Sequence, residues 1–237
     1  MKTLQIKLTA PLQSYGNEAS FARRTSAGYP SKSAVIGMIA AALGYQRDDS
    51  RIVTLNKLSY AVRVDQPGTM LTDFQTVEWK KDTRKITYRN YLQDAVFVAA
   101  IGSDDGNLID QIEFALHHPR YQLYLGRRAN PIAGVIQSEV TDDKNPVEVL
   151  KALDWQASTQ YQWRNKRKSQ QLLEIIADSN LLPDKRTDMV KDRVESFDQR
   201  DRKFSFREIA STLISVKNPY YQDESDAEET NLDAFNY

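Results

Sequence analysis

Positively charged and ring-bearing side chains recur together along this chain. Arg23 and Arg24 follow Phe21, and Tyr15, Tyr29 and Lys32 lie on either side of them. Trp79 precedes Lys80 and Lys81, Arg84 and Lys85 follow, and Tyr88 and Tyr91 flank Arg89. Tyr124 leads into Arg127 and Arg128, and Tyr161 and Trp163 lead into Arg164 to Lys168. A stacked ring holds a base with about 1–3 kcal/mol, and the cations neutralise phosphates. Bases and rings interleaved in this way suit a groove for single-stranded RNA, although each cluster taken alone also reads as a solvated surface.

The stretch "YLGRR", Tyr124 to Arg128, poses the sharpest question. Adjacent arginines on an extended segment project to opposite sides, so one surface ion pair cannot use both.

Signals for catalysis are thinner. His117 and His118 stand at a helix end, where an imidazolium meets the negative end of the dipole. A metal-independent ribonuclease would use such a group as general acid or base at a 2'-hydroxyl. "GYPSKSAVIG" lacks the glycine-lysine-serine spacing of a phosphate loop. Asp48 with Asp49, and Asp104 with Asp105, occur in turns where capping explains them better than metal binding. No catalytic residue, metal site or cofactor is expected.

The chain has 237 residues, 41% of them hydrophobic, with 32 basic and 32 acidic side chains and no cysteine. Six of the acids fall in "DESDAEETNLDAFNY", from Asp223 onward, which reads as a solvated, disordered tail. The remaining body therefore carries a net +6. The N-terminus alternates like a strand, and no segment approaches the roughly 20 apolar residues of a membrane span, so a cytoplasmic protein with no membrane partner is expected.

The elements that must hold these residues follow from periodicity. Leu4, Ile6 and Leu8 mark a first strand. Ser31 or Ser33 caps a helix carrying Val35, Ile36, Ile39, Ala42 and Leu43, which Gly44 closes. "LSYAVRVDQPG" predicts a second strand ending in a turn, and "LTDFQTVEW" and "ITYRNYLQDAVFVAAIG" flank a polar tip, which predicts a projecting hairpin. A helix over 108–116 ends before Pro119, and "YQLYL" predicts a last strand. This order is that of an α+β, ferredoxin-like fold with a four-stranded antiparallel sheet, shared by RNA-recognition motifs, enzymes and metabolite-binding domains. A ferredoxin-like domain over 1–140, a smaller C-terminal subdomain over 141–222 and the tail over 223–237 are expected. In the second part, "PVEVLKALDW" suggests a short helix, "STQYQWRNKRKSQ" a basic strand or loop, and "QQLLEIIADSN" another helix.

"TAPLQSYG", "GYPSKSAVIGMIAAALGYQRDD" and "PRYQLYLGRRANP", in this order, resemble the CasD family of the RAMP superfamily, the handle-binding subunits of type I-E CRISPR Cascade complexes. The likeness covers Leu4 to about Pro131 and continues loosely through "VESFDQRDRKFSFRE". It implies a ferredoxin-like domain with a β-hairpin thumb at about 74–92, capping the Cascade backbone and holding the 5' handle of CRISPR RNA. The RNA-facing positions would be Gln13, Ser14, Tyr15, Gly16, Ser31, Lys32, Ser33, Gly126, Arg127 and Arg128, joined by the basic pair Arg23 and Arg24. The resemblance implies that Gly126 lets the chain pass close to a phosphate or a base, and that one of the two arginines forks onto a handle phosphate while the other pairs within the protein or with a neighbouring subunit; the sequence does not say which does which. The thumb residues Trp79, Lys80, Lys81, Arg84, Lys85, Arg89 and Tyr91 would touch RNA or a neighbouring subunit. Implied partners are CRISPR RNA, the backbone subunit CasC, the large subunit CasA, and target DNA bound by the whole complex.

No RNP-type aromatic signature is present, so loops rather than the sheet face must recognise the RNA. Trp155 to Asp188 carries no role from the resemblance. The competing readings are an endoribonuclease that cuts precursor CRISPR RNA and a protein-interaction module facing an acidic partner.

Overall fold

The computed structural model describes residues 1–16 and 22–223; Phe21 and the tail from 224 onward lie outside the described residues. β1 (Lys2–Thr9) buries Leu4, Ile6 and Leu8 on one side, as its alternation requires. Two short strands follow, β2 (Leu12–Gln13) and β3 (Arg23–Arg24). The Ser31 hydroxyl accepts from the Ala34 N–H to start α1 (Lys32–Leu43), and Gly44 ends it at φ 80°. After α2 (Arg51–Thr54) come β4 (Ser59–Gln66) and the hairpin strands β5 (Thr69–Lys80) and β6 (Thr83–Gln93), then β7 (Val96–Ser103). Asp105 caps α3 (Gly106–His117), and β8 (Gln137–Thr141), α4 (Pro146–Ala152) and α5 (Thr159–Arg164) lead to β9 (Gln170–Asp178), β10 (Thr187–Ser196) and β11 (Lys203–Lys217).

The fold is mixed α+β with mostly antiparallel sheets. Seven strands form the main sheet in the order β10-β11-β9-β4-β7-β1-β8, each neighbouring pair antiparallel. Three of the four expected strands, β1, β4 and β7, are thus part of a larger sheet, and residues after 140 extend it through β9, which pairs with β4, so the sheet runs across the boundary expected there. Three local expectations need correction. "YQLYL" forms no strand: only Tyr124 bridges Pro131, and β8 takes the edge beside β1. "QQLLEIIADSN" is strand β9 and not a helix, because Leu173, Ile175 and Ile176 are buried between β4 and β11. "STQYQWR" opens as the short helix α5, capped by Ser158, instead of a strand or loop.

Two apolar layers hold the sheet. The larger joins Ile6, Phe97 and Ile101 to Ile36 and Ile39 of α1 and Ile109 and Ile112 of α3. The smaller joins Val98, Ala100 and Ile175 to Val147 and Leu150 of α4. At the centre of β4, Arg63 is fully buried, and all five of its donors are used: two on the Asp65 carboxylate and three on the carbonyls of Leu150, Leu153 and Asp154. The guanidinium thereby satisfies orphan carbonyls at the end of α4 and fixes that helix on the sheet.

β6 pairs with β5 along the hairpin and also receives β2 antiparallel and β3 parallel. The paired hairpin spans Thr69 to Gln93, longer than the 74–92 expected. Its base is anchored at Tyr91 and Leu92, which are buried, while its far part is exposed on both strands.

Candidate nucleic-acid interface

α1 is apolar nearly all round, and one of its sides, carrying Ala34, Gly37, Met38 and Ala41, forms the floor of a cleft of about 1330 Å³. The walls come from separate loops. One is the segment Ser14 to Gly16 with Arg24; another is Tyr121 to Ala129; a third is the base of β6, with Arg89 and Tyr91. The chain between β10 and β11 closes the fourth side with Phe197, Gln199 and Arg202. Seven basic side chains line this cleft, namely Arg24, Arg47, Arg89, Arg127, Arg128, Lys191 and Arg202, and among the described residues no carboxylate does. Tyr45, Tyr91, Tyr121 and Tyr124 stand among them.

Backbone hydrogen bonds set the walls. The Arg120 and Tyr121 N–H groups donate to the Ala42 and Ala41 carbonyls at 3.0 and 3.2 Å, which satisfies the end of α1 and plants Tyr121 at the cleft. Ser14 N–H donates to the Leu125 carbonyl at 3.3 Å, and Leu125 N–H to the Asn130 carbonyl at 2.8 Å, so the arginine turn is docked on the first loop.

Gly126 is needed for that docking. It lies at φ 84°, and a Cβ there would overlap the Ser14 carbonyl oxygen and stand 2.7 Å from its carbonyl carbon. The close approach that the glycine permits is therefore to the protein's own backbone, and the glycine also lines the cleft.

The two arginines divide their work. Arg127 turns inward: its guanidinium carbon lies 4.6 Å from the Tyr91 ring centroid, and Nη2 donates to the Arg24 carbonyl at 3.0 Å. Arg128 is exposed and faces the open cleft. Among the described residues, Arg127 Nη1 and Arg89 Nε are buried donors without an acceptor. An unpaired buried donor costs about 1–3 kcal/mol, so both guanidiniums keep hydrogen-bonding capacity that the described residues leave unused.

Other expected residues divide as sharply. Ser14, Tyr15, Gly16, Arg24, Ser31 and Ser33 reach the cleft. Gln13 does not: it is fully buried, donating to the Ala95 carbonyl at 2.7 Å and accepting from the Tyr15 hydroxyl at 2.6 Å. Lys32 is also withdrawn, being 6% exposed, with Nζ 3.0 Å from Asp178 and its backbone N–H on Asp192. Arg207 completes this buried group, at 2.7 Å from Asp178 and 2.6 Å from Asp192. Burial lowers the Lys32 pKa below its ordinary value, against the opposing pull of Asp178. Lys32 is thus held in a buried ion-pair group and does not line the cleft. Arg23 lies 5.8 Å from the Tyr88 ring and does not line the cleft. Trp79, Lys80, Lys81, Arg84 and Lys85 are exposed at the hairpin's far end, apart from Arg89 and Tyr91 at its base.

Arg47, Lys191 and Arg202 were not singled out from the sequence. Arg202 packs over Phe197 and Phe204, at 5.7 and 5.3 Å, and its pKa is lowered by burial and by the like charge of Arg47. That repulsion marks a concentration of positive charge, and among the described residues neither arginine forms an ion pair. "QRDD" and "DQRDRKF" hide these arginines among aspartates, and only the fold separates them. The histidines lie elsewhere. His117 Nε2 is 2.9 Å from Ser138 Oγ, His118 stacks on Phe114 at 4.3 Å, and neither lines the cleft.

A family model described as CRISPR-associated protein (Cas_Cas5) matches residues 3–210. The chain belongs to that family. This CRISPR-associated protein is 33% identical over 149 residues to the CRISPR system Cascade subunit CasD of Escherichia coli (strain K12), a match spanning 54% of this chain and 66% of that relative. It also resembles a chain of a solved CRISPR RNA-guided surveillance complex, with a TM-score of 0.73, 27% identity and 98% of each chain covered. A second solved Cas protein shares the fold, with a TM-score of 0.63, 24% identity and 93% and 98% of the two chains covered. Among the described residues, no helix is long and apolar enough to cross a membrane.

Proposed function

We propose that this family member is a subunit of a Cascade-type complex in CRISPR defence, and that it holds the 5' handle of CRISPR RNA in the α1 cleft without cutting it. One observation carries the reading: seven cations and several tyrosines from five separate segments meet in one cleft that no described carboxylate enters. Phosphates would lie along Arg47, Arg128 and Arg202, and unstacked bases on Tyr121 or Tyr124. The order β8-β1-β7-β4 within the sheet, with α1 and α3 in the crossovers, supports the ferredoxin-like reading. The exposed hairpin end, with Phe74 at 67% and Trp79 at 71%, is suited to a neighbouring subunit such as CasC, and CasA and target DNA would be reached through the assembled complex.

The test is fluorescence anisotropy of labelled repeat RNA carrying the 5' handle against unrelated RNA, with Arg47→Ala, Arg128→Ala and Arg202→Ala combined. The expected result is a loss of at least tenfold in a protein that stays folded, its melting temperature lowered by only a few degrees through loss of the Arg202 ring contacts, and a salt slope shallower by about 2, from three lost phosphate contacts at roughly 0.7 each. Undiminished affinity would refute the reading. In the same preparation, incubation with repeat RNA in chelator tests the ribonuclease alternative. Site-specific cleavage removed by His117→Ala and His118→Ala would overturn the non-catalytic role.

A further inference from the structure

The cluster Arg164 to Lys168 is not absorbed by the cleft. It lies at the opposite end of β11: Phe204, near the strand's start, lines the cleft, while Lys217 at its end borders the cluster. Phe204 and Lys217 lie 13 positions apart on this strand, a separation of about 43 Å.

This region is built as a rigid platform. Asn218 donates to the Gln162 and Asn165 carbonyls at 3.2 and 2.9 Å, and its own N–H meets the Ser169 carbonyl at 3.0 Å. Gln222 clasps Lys166 twice, through its N–H to the Lys166 carbonyl and through its side-chain oxygen to Nζ. On this support Trp163 is 53% and Tyr221 43% exposed. Arg164, Arg167, Lys168 and Lys217 are exposed beside them, and none forms an ion pair among the described residues. Lys166 Nζ lies over one face of the Trp163 ring, 4.9 Å from its centroid, so a base would take the opposite face, while the exposed cations nearby are placed to meet phosphates.

We infer that the α5–β11 platform is a second binding site for single-stranded nucleic acid, independent of the α1 cleft, with Arg167, Lys168 and Lys217 on phosphates and Trp163 under a base. Its occupant is a strand and not a duplex, because a paired base offers no open face to Trp163. The inference does not rest on the cleft reading, since it shares no residue with it.

The test uses the full chain carrying Arg47→Ala, Arg128→Ala and Arg202→Ala, so that the phosphate contacts of the cleft are removed, with fluorescein-labelled oligo(dT) as probe. Binding is expected to remain. Adding Arg167→Ala and Lys168→Ala should then weaken it at least fivefold at low salt and make the salt slope shallower by about 1.4. Trp163→Ala should weaken it about tenfold with the slope unchanged, and Trp163→Phe should restore most of the loss. Affinity indifferent to all of these changes overturns the inference. Equal binding of a blunt duplex and of oligo(dT) overturns it too, in favour of a general phosphate patch. If binding at the platform emerges only when the chain is ended at Asp223, the site is not open in the full chain, and the inference that the full chain binds a strand there is overturned.

Discussion

Arg127 lies over the ring of Tyr91, with 4.6 Å between the guanidinium carbon and the ring centroid, and it also donates to the Arg24 carbonyl. One residue thus ties the turn after Gly126 to the hairpin base and to the first loop. Arg128, its neighbour, carries no such duty. The pair separates structure from binding within two positions.

Arg127→Ala is therefore expected to lower the melting temperature by about 5 °C, from one cation–π contact and one hydrogen bond worth together about 1–2 kcal/mol. Arg128→Ala should leave melting unchanged while reducing handle-RNA affinity and its salt slope, the latter by about 0.7. Scanning calorimetry and anisotropy on both variants check the division, and equal melting temperatures would contradict it.

Gly126→Ala probes the same junction from the backbone side. At φ 84° any side chain is strained, and the new methyl would occupy the space of the Ser14 carbonyl. The backbone must move, so a loss of about 3 kcal/mol or more is expected, seen as a fall of roughly 10 °C in melting temperature. Because Ser14 and Arg127 shift together, RNA affinity should fall as well. A variant that melts like the parent would show that the turn is not held against Ser14.

Arg63 and Asp65 allow a double-mutant cycle inside the sheet. Arg63→Met leaves the Asp65 carboxylate fully buried without its cation and the α4 carbonyls without donors, which should cost about 3–5 kcal/mol. Arg63→Met combined with Asp65→Asn should cost clearly less than the two single changes added together, because the stranded charge is gone. Denaturant unfolding measures each corner, and strict additivity would contradict the coupling.

Legibility in the sequence followed the reach of the interactions. α1 and α3 could be read because their caps, Ser31, Gly44 and Asp105, act within a few residues. β9 could not: Leu172, Leu173, Ile175 and Ile176 satisfy a helical spacing as well as a buried strand, and only pairing with β4 and β11 decides. The same holds at the cleft. Basic residues in loops were visible as a class, yet Lys32 carries a charge that Asp178 consumes from 146 positions away. Arg202 reaches the cleft only because β10 and β11 fold beside α1. Gln13 looked like a loop residue, and its pairing with Ala95 made it part of the core.

Alkaline stability offers a last check on how the cleft floor is packed. Tyr15 and Tyr60 are buried, donating to Gln13 Oε1 at 2.6 Å and to the Pro30 carbonyl at 2.7 Å, and burial raises both phenol pKa values well above the ordinary 10.0. Tyr29 is raised in the same direction by burial and by Asp192. A raised folded-state pKa gives stability that is whole below the unfolded value and is lost as pH climbs toward the folded one, so these three groups predict a decline that begins near pH 10.0. Lys32 works the other way: its lowered pKa means that the unfolded chain holds the proton more tightly, so it adds stability as pH rises toward 10.5. Three tyrosines against one lysine leave a net loss, and phenolate absorbance of the buried rings should appear together with unfolding. Tyr60→Phe should flatten the decline while lowering stability at neutral pH by about 1 kcal/mol for the lost hydrogen bond. Phenolate absorbance that rises for all tyrosines near pH 10 in the folded protein would show that the rings beneath the cleft are open to water.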